Sequence, residues 1–267
     1  MTKVSKSPFQ RLKAKGFDVL FVSHAAGIVA QDFPTAIDEL EAALSDLELP
    51  ITEIIGSGGG ETKFTQRLRR TLAHKNWPKH VFEITKTVDG VAKESTSHEV
   101  DHVRKFQSGV IALEIEWNNK DPFFDRDLEN FKRLHAEGAI SMGMLITRGS
   151  TLQNALRNAV RRFAADRRIE SFDDLAKVGY IPTPKQRANV LKRVGRAKDP
   201  LPFADAWTDN FVGNKYGQAT THWDKLQDRV RRGVGNPCPL VLFGLPASMI
   251  RFDDAVVDTL EDDDITP

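Results

Sequence analysis

The segment VIALEIEWNNKD, residues 110–121, restricts the fold more than any other stretch of this chain. Ile111, Leu113, Ile115 and Trp117 recur at a period of two, the period of a β-strand, so Glu114 and Glu116 emerge together on the opposite face. Two like charges then share one side of a strand whose other side is apolar. Taking an unpaired carboxylate out of water costs so much that the group either binds a proton or recruits a cation. A fold that buries this strand has to bring positive charge to it.

The residues just upstream, SHEVDHVRKFQSG, suggest how a third acid joins the pair. Ser108-Gly109 is a turn signal. A two-residue loop there sets Gln107 opposite Val110, Val103 opposite Glu114 and Asp101 opposite Glu116. Directly opposed residues share a face, so Asp101, Glu114 and Glu116 form one patch, whereas a slip of one residue would send Asp101 to the other side. Three clustered carboxylates with hard oxygen donors suit Mg²⁺, and a bound Mg²⁺ activates water and stabilises the charge that builds up when a phosphodiester is attacked. Glu116 then serves as a second ligand or as the base that orients the water. The same acids also read as partners of Lys105 or Arg104 on an exposed strand face. A competing motif overlaps them: His98-Glu99-Val100-Asp101-His102 fits H-E-x-x-H, which on a helix holds Zn²⁺ between two imidazoles with Glu99 as the base of a metallopeptidase. The approach to it is turn-rich, and no third ligand stands out.

Elsewhere the pattern alternates. Strands are expected at 17–23, 80–88, 110–117, 139–147 and 239–245, and helices at 34–48, 61–77, 126–136, 151–166, 184–194 and 221–233. That alternation favours an α/β or α+β fold with a central mixed sheet flanked by helices. Residues 168–212, rich in Pro, Lys and Arg, read as a basic lobe inserted in a single domain that spans 1–252. Seven of the 37 acids fall in 253–267, so the remainder carries 38 basic residues against 30 acidic, or +8. The tail is expected to be disordered, and the basic body suits an anionic partner such as nucleic acid as well as an ordinary solvated surface. A non-catalytic DNA-binding module is the third reading. The stretch 213–226, GNKYGQATTHWDKL, which contains Lys215, suits phosphate contacts or a polar surface loop. Gly56–Gly60 lacks the Lys-Ser/Thr ending of a phosphate-binding loop. One cysteine, Cys238, allows no internal disulfide and reads as a small buried residue. With no apolar run of membrane-spanning length and no secretory leader, the expected location is the cytoplasm.

The D…E-x-E pattern of Asp101, Glu114 and Glu116, preceded by GGGETKFTQRLRRTL and followed by TTHWDKL and GNPCPLVLFGLP, resembles type II restriction endonucleases of the BglII/BamHI kind, within the PD-(D/E)xK nuclease superfamily. The resemblance covers roughly 50–150 and 213–246 and leaves 168–212 unmatched. It implies a restriction-endonuclease-like core, with Asp101, Glu114 and the carbonyl of Ile115 as Mg²⁺ ligands. Glu116 stands where most of the superfamily has Lys, and Glu61 is the candidate fourth active-site residue. The resemblance further implies a homodimer that cuts double-stranded DNA at a short palindrome to leave 5′-phosphates, and a companion DNA methyltransferase. Asn118, Asn119, Lys120, Arg148 and Lys215 are the expected DNA contacts.

Overall fold

The computed structural model describes residues 7–56 and 61–255; most of the acidic tail and Ser57–Gly60 lie outside the described residues. In chain order the elements are α1 (Gln10–Ala14), β1 (Asp18–Val22), α2 (Ala25–Asp32), α3 (Pro34–Ser45), β2 (Leu49–Pro50), α4 (Ile51–Ile55), α5 (Lys63–His74), β3 (His80–Val88), β4 (Val91–Val100), β5 (His102–Phe106) and β6 (Gly109–Glu116). There follow α6 (Phe123–Ala136), β7 (Met142–Arg148), α7 (Ser150–Asp166), α8 (Phe172–Lys177), α9 (Pro184–Val194), α10 (Phe203–Lys215), α11 (Trp223–Arg231), β8 (Leu240–Leu245) and β9 (Ile250–Arg251). They fall into two compact units: Met1–Leu47, Arg67–Ser150 and Thr221–Pro246 make the first, and Glu48–Gln66, Thr151–Thr220 and Ala247–Pro267 the second.

The first unit is built on a five-stranded sheet in the order β1-β8-β7-β6-β5, flanked by helices. Its two edge pairs are antiparallel, while β8, β7 and β6 run parallel. The parallel strands explain their own composition. Each is covered on both faces, so MGMLITR and LVLFGL are buried at every position rather than alternating. Parallel β6 and β7 need a crossover, and α6 supplies it. Phe124, Leu128, Phe131 and Leu134 line the inner face of α6 at three- and four-residue spacing and join Ala112, Leu145, Leu240 and Leu242 of the sheet in one core. Cys238 is in that core, its thiol pushed up to about 12 by burial, as expected of an inert side chain. β3 and β4 form a separate two-stranded ribbon whose Phe82 and Ile84 pack on the same core.

The 168–212 stretch is helical. It contributes α8, α9 and most of α10 to the second unit, where Tyr180 meets Trp207 and Phe211 edge-on and those two rings tilt against each other, all with centroids 5.6–5.7 Å apart. Thr183 and Gln186 form a capping box at the start of α9, behind Pro184 at its first position.

Gly143 of β7 sets how deeply α6 sits. A Cβ at this position would lie 2.5 Å from the ring of Phe131, itself fully buried and unable to move aside. Gly143→Ala is therefore expected to destabilise the protein by about 1–3 kcal/mol through overpacking, read as a lower urea midpoint at unchanged m-value. An unaltered midpoint would mean that the helix is not held at this depth by the glycine.

Candidate active site

The hairpin that brings Asp101 to the glutamates turns at Gln107-Ser108, one residue earlier than Ser108-Gly109. Phe106 pairs with Gly109 and His102 with Leu113. The register thus differs by two residues from the one the turn signal suggests, and Asp101 comes level with Glu114 rather than Glu116. Because the side-chain period is two, an even slip leaves all three acids on one face. Asp101 and Glu114 brace the two strands across this junction: Glu114 Oε2 accepts from the Asp101 backbone N–H at 3.3 Å, and Asp101 Oδ2 accepts from Ile115 N–H at 3.4 Å.

The positive charge comes from two arginines. Arg69 of α5 donates to Asp101 Oδ1. Arg126, at the start of α6, donates to Asp127 Oδ1 at 2.8 Å and to Glu116 Oε1 at 3.4 Å, with its guanidinium 4.5 Å from the ring centroid of Phe123. Asn119 Nδ2 donates to the other oxygen of Glu116 at 2.7 Å, and Thr221 N–H fixes Asn119 through its carbonyl at 2.9 Å. The alternative partners named from sequence are placed elsewhere: Arg104 pairs with Glu39 of α3 at 2.9 Å, and Lys105 is exposed.

A fourth carboxylate completes the cluster. Asp127, 1% exposed, faces Glu116 from α6. It occupies a core position of the helix, three residues after Phe124 and four before Phe131. An acid at an apolar position of FFDRDLENFKRL is the signal by which it could have been found. Arg69 and Arg126 carry no such signal, because an arginine on an amphipathic helix is ordinary. Glu61 belongs to the second unit, just ahead of α5, where its carbonyl accepts from Gln66 Nε2 at 3.2 Å.

Burial drives the Glu114 carboxyl well above its ordinary pKa, and the charges of Asp101 and Asp127 push in the same direction. Glu116 is raised by burial and by Asp127, against the opposing pull of Asn119 and Arg126. Among the described residues Arg69 and Arg126 are the cations paired with these acids, and the buried Glu114 and Glu116 still hold a proton more tightly than ordinary carboxylates. Among the described residues no three His, Cys, Asp or Glu side chains converge on a common point. A divalent cation held here would rest on one or two carboxylates and a backbone oxygen, with water and a phosphate completing its shell. That is how Mg²⁺ binds in phosphate chemistry, and the all-oxygen donor set fits it.

The H-E-x-x-H stretch has no zinc-site geometry. His98 lies on β4 and His102 on β5, strands of different sheets separated by a bend at Asp101. His102 is buried with Nδ1 on the Trp77 carbonyl at 2.7 Å, and His98 Nε2 accepts from Arg133 at 3.3 Å. In an extended run Glu99 turns to the face opposite the imidazoles, where it cannot serve a metal held between them, and the bend at Asp101 sends the two histidines to different partners.

Of the expected DNA contacts, Lys120 and Asn119 are exposed, while two others point inward. Arg148 is completely buried, donating to the Trp117 carbonyl at 3.0 Å and to Asn118 Oδ1 at 3.2 Å. In this position it secures the chain leaving β6 and offers nothing to a phosphate. Lys215 turns its ammonium onto the carbonyls of Ile54, at 3.1 Å, and Gly56, closing the end of α4, and burial lowers its pKa to about 8.

A mixed five-stranded sheet flanked by helices, with carboxylates gathered where an antiparallel hairpin meets a parallel neighbour, defines a restriction-endonuclease-like nuclease. The family model described as restriction endonuclease BglII/BglIII matches residues 17–245, and the chain belongs to that family. It is a type II site-specific deoxyribonuclease acting on DNA, and restriction endonucleases of this superfamily generally use a divalent metal. The matched range is wider than the sequence blocks suggested and spans 168–212. No curated protein matches the chain. Among the described residues no helix is long and apolar enough to cross a membrane.

The raised carboxyl groups have a consequence for stability in the absence of divalent metal. A carboxyl whose folded pKa exceeds the unfolded value binds its proton more tightly when folded. The resulting stabilisation is complete below the ordinary value of 4.5 and is lost as pH rises through the folded value. In EDTA the thermal midpoint should therefore fall as pH rises from about 6 to 8, and Glu114→Gln should flatten that fall and raise stability near pH 8 by on the order of 2 kcal/mol. A profile that is flat for both proteins would contradict the burial of a charged surplus.

Proposed function

We propose that the chain is a Mg²⁺-dependent endonuclease that hydrolyses both strands of double-stranded DNA at a short palindrome, with Asp101, Glu114 and Glu116 as its active site. The observation that carries this reading is the four-carboxylate cluster at the end of a buried strand pair, with Glu114, Glu116 and Asp127 raised toward protonation by burial, inside a chain of a restriction endonuclease family. Asp101, Glu114 and the Ile115 carbonyl are the proposed ligands of the metal, which when bound supplies Lewis-acid stabilisation of the charge on the reacting phosphate. Glu116 positions the attacking water and accepts its proton, in the place where most of the superfamily has a lysine. Asn119 and Arg126 hold its two oxygens, so that the carboxylate meets the water in a fixed orientation. Asp127 faces it from behind and keeps the proton affinity of the pair high enough for it to act as a base near neutral pH. Water attacks phosphorus, the P–O3′ bond breaks, and the leaving O3′ takes a proton from solvent water, so the products carry 5′-phosphate and 3′-hydroxyl ends.

A symmetric dimer suits this chemistry: a twofold axis matches a palindrome, and two copies of one site cut both strands. Lys120 and Asn118, directly after the catalytic strand, are the proposed DNA contacts of the first unit, and Glu61 remains a candidate fourth active-site residue. A companion methyltransferase protecting the same sequence and a cytoplasmic location complete the reading.

Incubation with phage DNA should give discrete bands with Mg²⁺ and none in EDTA, and end sequencing then gives the site. Asp101→Asn should lower kcat by at least roughly 10²–10³-fold while a duplex carrying that site still binds. Wild-type cleavage by Asp101→Asn would sink the assignment.

A further inference from the structure

The cations of the second unit divide into two populations. On α7, Arg157 pairs with Asp209 at 3.0 Å, Arg161 with Asp205 at 2.7 Å and Arg162 with Asp166 at 3.4 Å. On α9 only the inward-facing Arg193 is treated this way, pairing with Asp209 of α10 at 3.3 Å. The rest of residues 181–198 carries Lys185, Arg187, Lys192, Arg196 and Lys198 and no acid. Arg187 lies over the ring of Phe172 at 4.1 Å. Lys185, Lys192, Arg196 and Lys198 are exposed and, among the described residues, have no carboxylate partner.

Helical geometry aligns them. Lys185, Asn189 and Lys192 follow one another at four- and three-residue spacing on a single stripe, opposite the buried Val190, and Arg196 follows directly after Gly195 ends the helix. The stripe is fixed by its surroundings: the capping box holds the start of the helix, and the Arg193–Asp209 pair seats it on α10. A rigid helix with a cationic outer stripe and the polar Asn189 between its charges complements a regularly charged polyanion. In a chain of a DNA-cleaving family that polyanion is duplex DNA.

We propose that α9 and the residues that follow it form a second DNA-binding surface, with Lys185, Lys192 and Arg196 holding backbone phosphates independently of base sequence. It rests on the reading of DNA as the substrate. The surface adds affinity and carries no sequence information, because phosphate contacts are the same at every base pair.

The test uses the full chain carrying Lys185→Gln, Lys192→Gln and Arg196→Gln together, all at exposed positions, and a long mixed-sequence duplex in EDTA with fluorescence anisotropy as readout. Each lost phosphate contact should lower the slope of log affinity against log salt by roughly 0.9, so a fourfold rise in salt should cost the wild type about 40-fold more affinity than the variant. At saturating DNA and with Mg²⁺ the variant should keep the wild-type kcat. Equal affinity and equal salt slope would overturn the proposal and leave the stripe to an acidic protein partner. If the wild type bound DNA as expected but failed to cut it, the proposed active site would fail while this surface stood.

Discussion

Glu114, Glu116 and Asp127 are buried close to one another, with Asp101 alongside, and burial together with their like charges raises the proton affinity of all three. Much of the first unit is arranged around that constraint. Arg69 reaches in from α5 and Arg126 from α6, Asn119 is pinned by Thr221 just ahead of α11, and two of the acids span the strand junction by accepting from the backbone N–H groups of Asp101 and Ile115. Even so, the compensation is incomplete. The remaining deficit of positive charge is what a divalent cation with a phosphate would fill, so the feature that weakens the metal-free fold is the one that suits the chemistry.

The helix α6 does two things at once, and the same packing enforces both. Its apolar face seals the sheet, with Phe131 laid directly on Gly143, and its first turns carry Arg126 and Asp127 to the end of β6. A helix displaced outward by one extra methyl group would lose contact with the core and withdraw the arginine from Glu116 together. Stability and site geometry are therefore coupled through one close approach, which is why a glycine near the start of a buried strand is worth its entropic cost.

The alternation of strands and helices was readable because the amphipathic helices keep their three- and four-residue spacing while the central parallel strands stand out as short, wholly apolar runs, and the α9 boundaries at 184–194 follow from Pro184 and a helical run. The 168–212 stretch was not readable as a unit: its core is made of Tyr180, Trp207 and Phe211, which meet in space but have no common period along the chain. The expected DNA contacts divide in the same way. Whether a basic residue faces solvent or folds inward depends on what lies across from it, and for Lys215 and Arg148 that is a carbonyl many residues away.

Strand periodicity alone puts Glu114 and Glu116 on one face, and a hairpin register of the right parity brings Asp101 to them. Strand periodicity is local and survives the two-residue difference in register, whereas a difference of one would have separated Asp101 from the glutamates. Only the tertiary structure decided what surrounds that patch. Arg69, Arg126, Asn119 and Asp127 arrive from helices and loops whose distance from β6 is set by side-chain packing. No local pattern encodes how far apart two packed elements come to rest.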